Sequence, residues 1–177
     1  MFSQSVVLSA ALIFTATKSK MAAVLASFLV TMSGTLFFAS CTVRAFFSPA
    51  AQTCRYTSST RLYTPSYIIN EIPSYSFTVG DLHAHLLALP FFLFNIILLY
   101  SLIGSKKPRW QLFAMLAFGI ATSGMISSWD AITLTALFGI IILIKLFQLG
   151  ASRALPWVYG AIAVYVSALI FMWPALT

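Results

Sequence analysis

The 177-residue chain is 60% hydrophobic and only 7% charged, with a mean hydropathy of +0.96. This composition lies far from that of soluble globular domains and predicts an integral membrane protein. The formal net charge of +7 does not indicate nucleic-acid binding, because the basic residues lie between apolar runs rather than on one water-exposed face. Soluble enzyme classes are excluded as well, since the sequence has no P-loop, nucleophile elbow, zinc finger or dinucleotide fingerprint.

Charged residues divide the chain into six apolar runs, at 1–17, 21–43, 82–105, 110–129, 131–152 and 154–177. A helix needs about 20 apolar residues to cross a bilayer, so the last five runs are long enough to span it. The first run is short, and no basic residue precedes it as in a secretory signal. The predicted fold is therefore an all-α, polytopic bundle of about five transmembrane helices.

We expect three regions along the chain. Residues 1–41 form an N-terminal hydrophobic region with one full span, residues 42–81 a non-cytoplasmic loop, and residues 82–177 a four-helix transmembrane region. The loop is rich in proline and aromatic residues, which suit a segment lying in the headgroup layer. Because the chain begins almost inside an apolar run, we also expect it to be a piece of a longer protein.

Basic residues in short loops set the predicted orientation, since such loops tend to stay cytoplasmic. Three groups alternate with the predicted helices in the required way: Lys18 with Lys20, then Lys106 and Lys107 with Arg109, and finally Arg153 with Lys145, which is expected to snorkel toward the cytoplasmic face. The loop at 42–81 and the turn at 130 then face the non-cytoplasmic side. A plasma-membrane location is expected.

The acidic residues and histidines gather at or near this outer side. They are Glu71, Asp81 and Asp130 with His83 and His85. The grouping predicts one outward-facing polar site at the membrane boundary.

The segment from Asp81 to His85 leads directly into an apolar run and allows several roles. Asp81 is suited to cap the helix that follows, and in a helix it shares a face with His85. The spacing Asp81, His83, His85 offers ligands for zinc, manganese or iron. Alternatively, the helix N-terminus with Arg61 or Arg55 would bind a phosphate, or a histidine would move protons. The histidines are also compatible with a headgroup layer and no ligand.

Three other places in the sequence carry polar or helix-breaking residues that need an interpretation. Glu71 lies among isoleucines, where desolvation favours its neutral form and suits a general base, although a solvated loop acid is the alternative. Asp130 is expected to cap a helix that starts at Ala131. Pro90 and Asn95 lie within a predicted span, where Pro90 would kink the helix and the carbonyl that it frees would line a cavity or bond to neighbouring groups.

The stretch from Ile69 to Phe91, with Glu71, Asp81-Leu82-His83 and His85, resembles the YYY membrane proteins, an uncharacterised polytopic family. The upstream Ser59-Thr60-Arg61 and the downstream Ser128-Trp129-Asp130 are similar to two further elements of that family, in the same order. The chain departs from the pattern at Ala84, at Ala131-Ile132 and in the spacing between Arg61 and Glu71. The family's tyrosine triplet and preceding acidic loop are absent.

The resemblance implies a relation to the superfamily C glycosyltransferases, which take a sugar from a lipid phosphate at the non-cytoplasmic face. On that basis the chain is expected to be a fragment of a glycosyltransferase-like membrane protein that binds membrane lipid and a lipid-linked sugar, with a divalent metal as the candidate cofactor. The expected catalytic residues are Glu71, Asp81 and Asp130, the phosphate-binding residues Arg61, His83 and His85, and the metal ligands Asp81, His83 and His85.

Two other functional classes remain open at this point. A transporter or permease would use Pro90, Asn95 and the Asp81 to His85 segment as a pathway, but it needs ionisable groups near mid-membrane, and here they cluster at one boundary. A non-catalytic scaffold would keep its function after the whole polar cluster is neutralised.

Overall fold

The computed structural model describes residues 1–32, 43, 46, 47, 77 and 84–176, and within these every regular element is an α-helix. The helices are α1 (Phe2–Thr17), α2 (Lys20–Met32), α3 (Ala84–Gly104), α4 (Trp110–Ile126), α5 (Ser128–Leu149) and α6 (Ala151–Leu176). The predicted all-α fold is confirmed. The chain forms two compact units, one of Phe2–Leu86 and one of Leu87–Thr177 with Met1.

Three of these helices contain segments long and apolar enough to cross a membrane: Leu86–Gly104, Ser128–Leu149 and Ser152–Trp173. Helices α1, α2 and α4 are apolar but shorter. At 1.5 Å per residue, a helix of 22 residues is about 33 Å long, which matches the roughly 30 Å of a bilayer's hydrocarbon core. Three long and three shorter apolar helices are compatible with the prediction of about five spans.

In the first unit, a two-residue turn joins α1 to α2. Lys18 has a φ of 57°, and this left-handed conformation ends α1. Ser19 then caps α2, because its Oγ accepts a hydrogen bond from the backbone N–H of Ala22 at 3.2 Å. The two helices consequently fold back on each other as a hairpin.

In the second unit, contacts between the helices show which of them run in the same direction. Asn95 of α3 lies against Gly119 of α4 near the middle of both helices. Lys145, close to the end of α5, bonds to the last carbonyls of α3. Gly124 near the end of α4 lies close to Met172 near the end of α6. Helices α3 and α5 therefore run in one direction, and α4 and α6 run in the other.

The core of this unit is built around large side chains from all four helices. Fully buried members are Leu102, Leu116, Leu134, Phe138, Trp157 and Val164. The ring of Phe113 packs edge-on against those of Trp157 and Phe138, at centroid distances of 6.0 and 6.2 Å. The outer faces carry apolar side chains too, among them Phe118, Ile140, Phe147, Ile162 and Phe171. A surface that is apolar on both sides of its helices suits a lipid surrounding.

One predicted helix boundary is wrong. Helix α4 ends at Ile126 and α5 begins at Ser128, so that a single non-helical residue, Ser127, joins them. Ser127 has an extended backbone, with φ −149° and ψ 105°. The chain reverses there, three residues before the charged Asp130 that was expected to mark the turn.

Candidate functional site

Asp130 is the one predicted site residue whose side chain lies within the described part of the chain. It is the third residue of α5 and is partly buried, next to Trp129, which is 75% exposed. Ser127, not Asp130, occupies the N-cap position, and its side chain makes no capping bond. The expectation that Asp130 caps a helix starting at Ala131 is therefore wrong. In the first turn, its carboxylate instead lies where the helix dipole favours negative charge.

The remaining predicted site residues belong to the segment before α3. His85 is the second residue of α3 and so lies in its first turn. Arg61, Glu71, Asp81 and His83 lie outside the described residues. Within the described ranges, no group of three His, Cys, Asp or Glu side chains is placed to hold a metal ion. The expected metal site of Asp81, His83 and His85 stays a prediction.

The two ends of the second unit differ in charge. We call the end where α5 begins the Asp130 end, and the end where α5 finishes the Lys145 end. The Lys145 end carries exposed basic side chains in the α3–α4 connection and at the start of α6, namely Lys106, Lys107, Arg109 and Arg153. Asp130 is the only acidic residue in the described part of this unit, and it lies at the opposite end.

Tryptophans flank the same unit at both ends. Trp129 and Trp173, near the Asp130 end, are 75% and 66% exposed, and Trp110, at the Lys145 end, is 54% exposed. Exposed tryptophan is favoured at the two interfaces of a membrane, where an amphipathic ring meets the headgroups. The tryptophans thus mark both ends of the unit with a residue type that membrane interfaces favour.

Lys145 has a role that the sequence did not suggest. Its Nζ donates hydrogen bonds to the backbone carbonyls of Ile103 at 2.6 Å and Ser105 at 3.0 Å. It also lies 5.1 Å from the ring centroid of Trp157. Only 7% of the residue is exposed, so the prediction that Lys145 snorkels toward water is wrong. The orphan carbonyls at the end of α3 provide a nearer partner for the ammonium group.

Three buried polar atoms in the described part of the second unit have no hydrogen-bond partner: Asn95 Oδ1, Ser123 Oγ and Trp157 Nε1. The amide of Asn95 is otherwise engaged, because its Nδ2 donates to the carbonyl of Phe91 at 2.9 Å. Asn95 is fully buried and packs against Gly119. Asn95 is therefore enclosed by neighbouring atoms and does not line an open cavity.

Comparison with known proteins identifies the family of this chain. Residues 1–176 match the family described as Uncharacterized membrane protein (DUF2298). The chain belongs to this family. No curated protein and no solved structure matches the chain at a significant level.

Membership in the DUF2298 family agrees with the helices that are long and apolar enough to span a membrane. The chain is thus a multi-pass helical membrane protein. The match extends over the first unit as well as the second, so both units are part of the family's shared region.

Proposed function

We propose that this DUF2298 member is part of a glycosyltransferase-like membrane protein that handles a lipid-phosphate-linked sugar at the non-cytoplasmic face. The observation that carries the proposal is the charge separation of the second unit, whose exposed bases lie at one end and whose acidic side chain lies at the other. The resemblance of the segment from Ile69 to Phe91 to the YYY proteins supplies the chemistry. A plasma-membrane location is part of the proposal.

The charge separation supports one orientation. Basic residues in short connections favour the cytoplasmic side, so the Lys145 end would be cytoplasmic. Asp130 would then face the opposite side. His85 lies in the first turn of α3, and the positive end of a helix favours a phosphate.

The roles of the site residues follow from their chemistry. Arg61, with a planar guanidinium, is suited to clamp a phosphate, and His83 and His85 would add hydrogen bonds. A divalent metal held by Asp81 and the two histidines would neutralise the phosphate charge.

Two carboxylates remain for the sugar acceptor. Glu71 and Asp130 would position its hydroxyl, and Glu71 is also the candidate base. Asp81 would contribute to catalysis through the phosphate site rather than by contacting the acceptor.

A transporter has less support from the described residues. Among them, no Asp, Glu, His, Lys or Arg lies at the middle of a helix that could span the membrane. Such a pathway usually carries ionisable groups at that depth. The polar side chain of Asn95 is packed against Gly119, as described above.

Binding of polyprenyl phosphate tests the proposal. The full-length protein in nanodiscs would be compared with the double variant Asp81→Ala/His85→Ala. A charge-assisted hydrogen bond contributes about 1.5–3 kcal/mol, so its loss should raise the Kd by about tenfold or more. Asp130→Asn should leave phosphate binding intact and reduce sugar transfer, because Asp130 is assigned to the acceptor.

Lys107→Gln is the matched control, since it removes a charge at the Lys145 end and should leave the Kd unchanged. A chelator that weakens binding in the wild type, and not in the double variant, would assign a metal to Asp81, His83 and His85. Equal binding by the wild type and the double variant would contradict the proposal and return Asp81 to the role of a helix cap.

A further inference from the structure

Two exposed tryptophans lie at the Asp130 end of the second unit, close to its acidic side chain. Trp129 directly precedes Asp130 in the first turn of α5, and Trp173 lies in the last turn of α6. Both indoles are more than half exposed. At the Lys145 end, Trp110 is exposed as well, but it follows Arg109 instead of standing beside an acid. An open indole next to a carboxylate is thus a feature of the Asp130 end.

Contacts among three helices bring the two tryptophans to neighbouring positions. Gly124, in the last turn of α4, lies against Met172 of α6, and a Cβ atom built on it would be 3.5 Å from the Cβ atom of Ala131 in α5. Met172 directly precedes Trp173, and Ala131 follows Trp129 by two residues. The start of α5 and the end of α6 therefore meet beside α4, although the chain joins these two helices at the opposite end of the unit.

The chemistry of this group suits a sugar ring. An indole offers a flat apolar face, and a carboxylate accepts hydrogen bonds without donating any. Ser128, which is exposed, adds a hydroxyl group directly before Trp129. A pyranose ring has C–H groups on one face and hydroxyl donors around its edge, so that it can cover an indole and bond to a carboxylate at the same time. Small-molecule sites commonly combine apolar area with a few polar groups in this way.

A cationic ligand fits the same residues less well. The attraction between an ammonium group and an aromatic ring is strong when both are removed from water and weak when they are exposed. The contact of Lys145 with Trp157 is of the first kind, because both residues are buried. Trp129 and Trp173 are open, so a cation above them would stay hydrated. A sugar ring gains from covering an open face, because apolar burial needs no enclosure.

From these observations we propose that Trp129 and Trp173 form a stacking surface for a carbohydrate, with a pyranose ring over the Trp129 indole and its hydroxyl groups donating to the Asp130 carboxylate. The acceptor of the proposed transfer is then itself a sugar. That second statement rests on the proposed function, whereas the binding of the ring rests on this end of the unit alone. A tryptophan that only anchors a protein at the membrane interface needs no carboxylate beside it.

Saturation-transfer NMR tests the proposal on the full-length protein in nanodiscs. The probes are the methyl pyranosides of glucose, mannose and galactose, with acyclic mannitol as the matched polyol and empty nanodiscs as the blank. The protein should saturate the C–H protons of at least one pyranoside and not those of mannitol. Trp129→Ala should raise the Kd of that pyranoside about fivefold or more, because the apolar contact is lost. Asp130→Ala should weaken binding as well.

Trp110→Ala is the matched control, since it removes an exposed tryptophan from the Lys145 end and should leave the Kd unchanged. Trp173→Ala, which should also weaken binding, repeats the test if Trp129→Ala fails to fold. The proposal is overturned if the wild type saturates none of the three pyranosides, or if both variants bind as tightly as the wild type. Saturation of ethanolamine in place of the pyranosides would indicate a cationic ligand and would overturn it too.

Binding of polyprenyl phosphate separates this inference from the proposed function. Trp129→Ala should leave the Kd of the lipid phosphate unchanged. If pyranoside binding does not depend on Trp129 while Asp81→Ala/His85→Ala still weakens phosphate binding, the sugar surface is refuted and the proposed function stands. If pyranoside binding depends on Trp129 while the double variant binds phosphate normally, the proposed function is refuted and the sugar surface stands.

Discussion

Lys145 shows how one side chain can complete the end of a helix that lies forty residues away. The last carbonyls of α3 lack partners within their own helix, and the Lys145 ammonium group bonds to two of them. A charged donor makes a stronger hydrogen bond than a neutral one. The interaction is also shielded, because the residue is almost fully buried.

We expect Lys145→Met to destabilise the second unit by about 2 kcal/mol or more, because it removes two charge-assisted hydrogen bonds and leaves carbonyls unpaired. Methionine keeps much of the volume and the contact with Trp157. The measurement is the unfolding temperature of the full-length protein in detergent micelles. Hydrogen exchange at the end of α3 should increase in the same variant.

Lys107→Met makes the same chemical change at an exposed position and should leave the unfolding temperature nearly unchanged. If the two variants unfold at the same temperature, the bonds from Lys145 contribute nothing to stability.

The sequence could not reveal this role. A lone lysine near the end of an apolar run fits the snorkelling pattern equally well. Whether such a lysine snorkels to the surface or is buried depends on a carbonyl partner on another helix. Local sequence spacing does not show a partner that lies 40 or 42 residues away.

At the scale of the helices, the approach of α3 to α4 depends on the absence of a side chain at Gly119. A Cβ atom built there would lie 2.8 Å from Asn95 Cγ and closer still to its amide oxygen. Asn95 is fully buried, so it has little room to move away. A single methyl group added at Gly119 would therefore overpack the contact between α3 and α4.

Gly119→Ala should lower the stability of the full-length protein by about 1–3 kcal/mol, since the two helices must separate or Asn95 must change its rotamer. Thermal unfolding in detergent checks this. Adding Asn95→Ala should restore most of the loss, because it removes the atoms that the new methyl group meets.

Gly139→Ala is the control for helix propensity, because its Cβ would make only an ordinary contact, 3.5 Å from the Tyr165 hydroxyl oxygen. It should be neutral or slightly stabilising. A Gly119→Ala variant as stable as Gly139→Ala would show that α3 and α4 do not approach as closely as described.

Helix positions were largely predictable because apolar runs in a membrane protein are long and are separated by charges. The boundary between α4 and α5 was not, because Ser127 has neither charge nor the usual glycine or proline of a break. The burial of small residues along α1 and α2 was also missed. Its signal is the four-residue spacing of Ser5 with Ser9 and of Ala23 with Ser27, which average hydropathy does not detect.

For the whole molecule, the charge difference between the ends of the second unit predicts its orientation. A single cysteine at Lys107 should react with a membrane-impermeant maleimide only after the cells are permeabilised, since basic connections stay cytoplasmic. A cysteine at Trp129 should react in intact cells. Both positions are exposed, so burial does not decide the outcome.

The labelling would use the full-length protein with Cys41 and Cys54 replaced by alanine. The same protein without an added cysteine gives the background. Reaction of Lys107→Cys in intact cells, with protection of Trp129→Cys, would mean that the orientation is reversed and that Asp130 faces the cytoplasm.

The candidate site was less accessible to sequence reasoning than the fold. The segment from Asp81 to His85 indicates a polar site through residue types, yet the same five residues are compatible with a helix cap, a metal site or a phosphate site. Only the distances among side chains separate these roles. Of the predicted residues, Asp130 alone shows its surroundings in the described structure, and there it proved to be in a first helical turn rather than at a cap.

The position of Lys145 also has a consequence for biosynthesis. When α3 leaves the ribosome, the carbonyls of Ile103 and Ser105 have no ammonium partner, because Lys145 is translated about forty residues later and Trp157 later still. Until then, water or headgroups at the membrane surface must solvate the end of α3. The contacts of Lys145 with the two carbonyls and with the Trp157 ring can form only after α5 and α6 have entered the membrane. The last two helices, rather than the first, therefore determine when this unit matures.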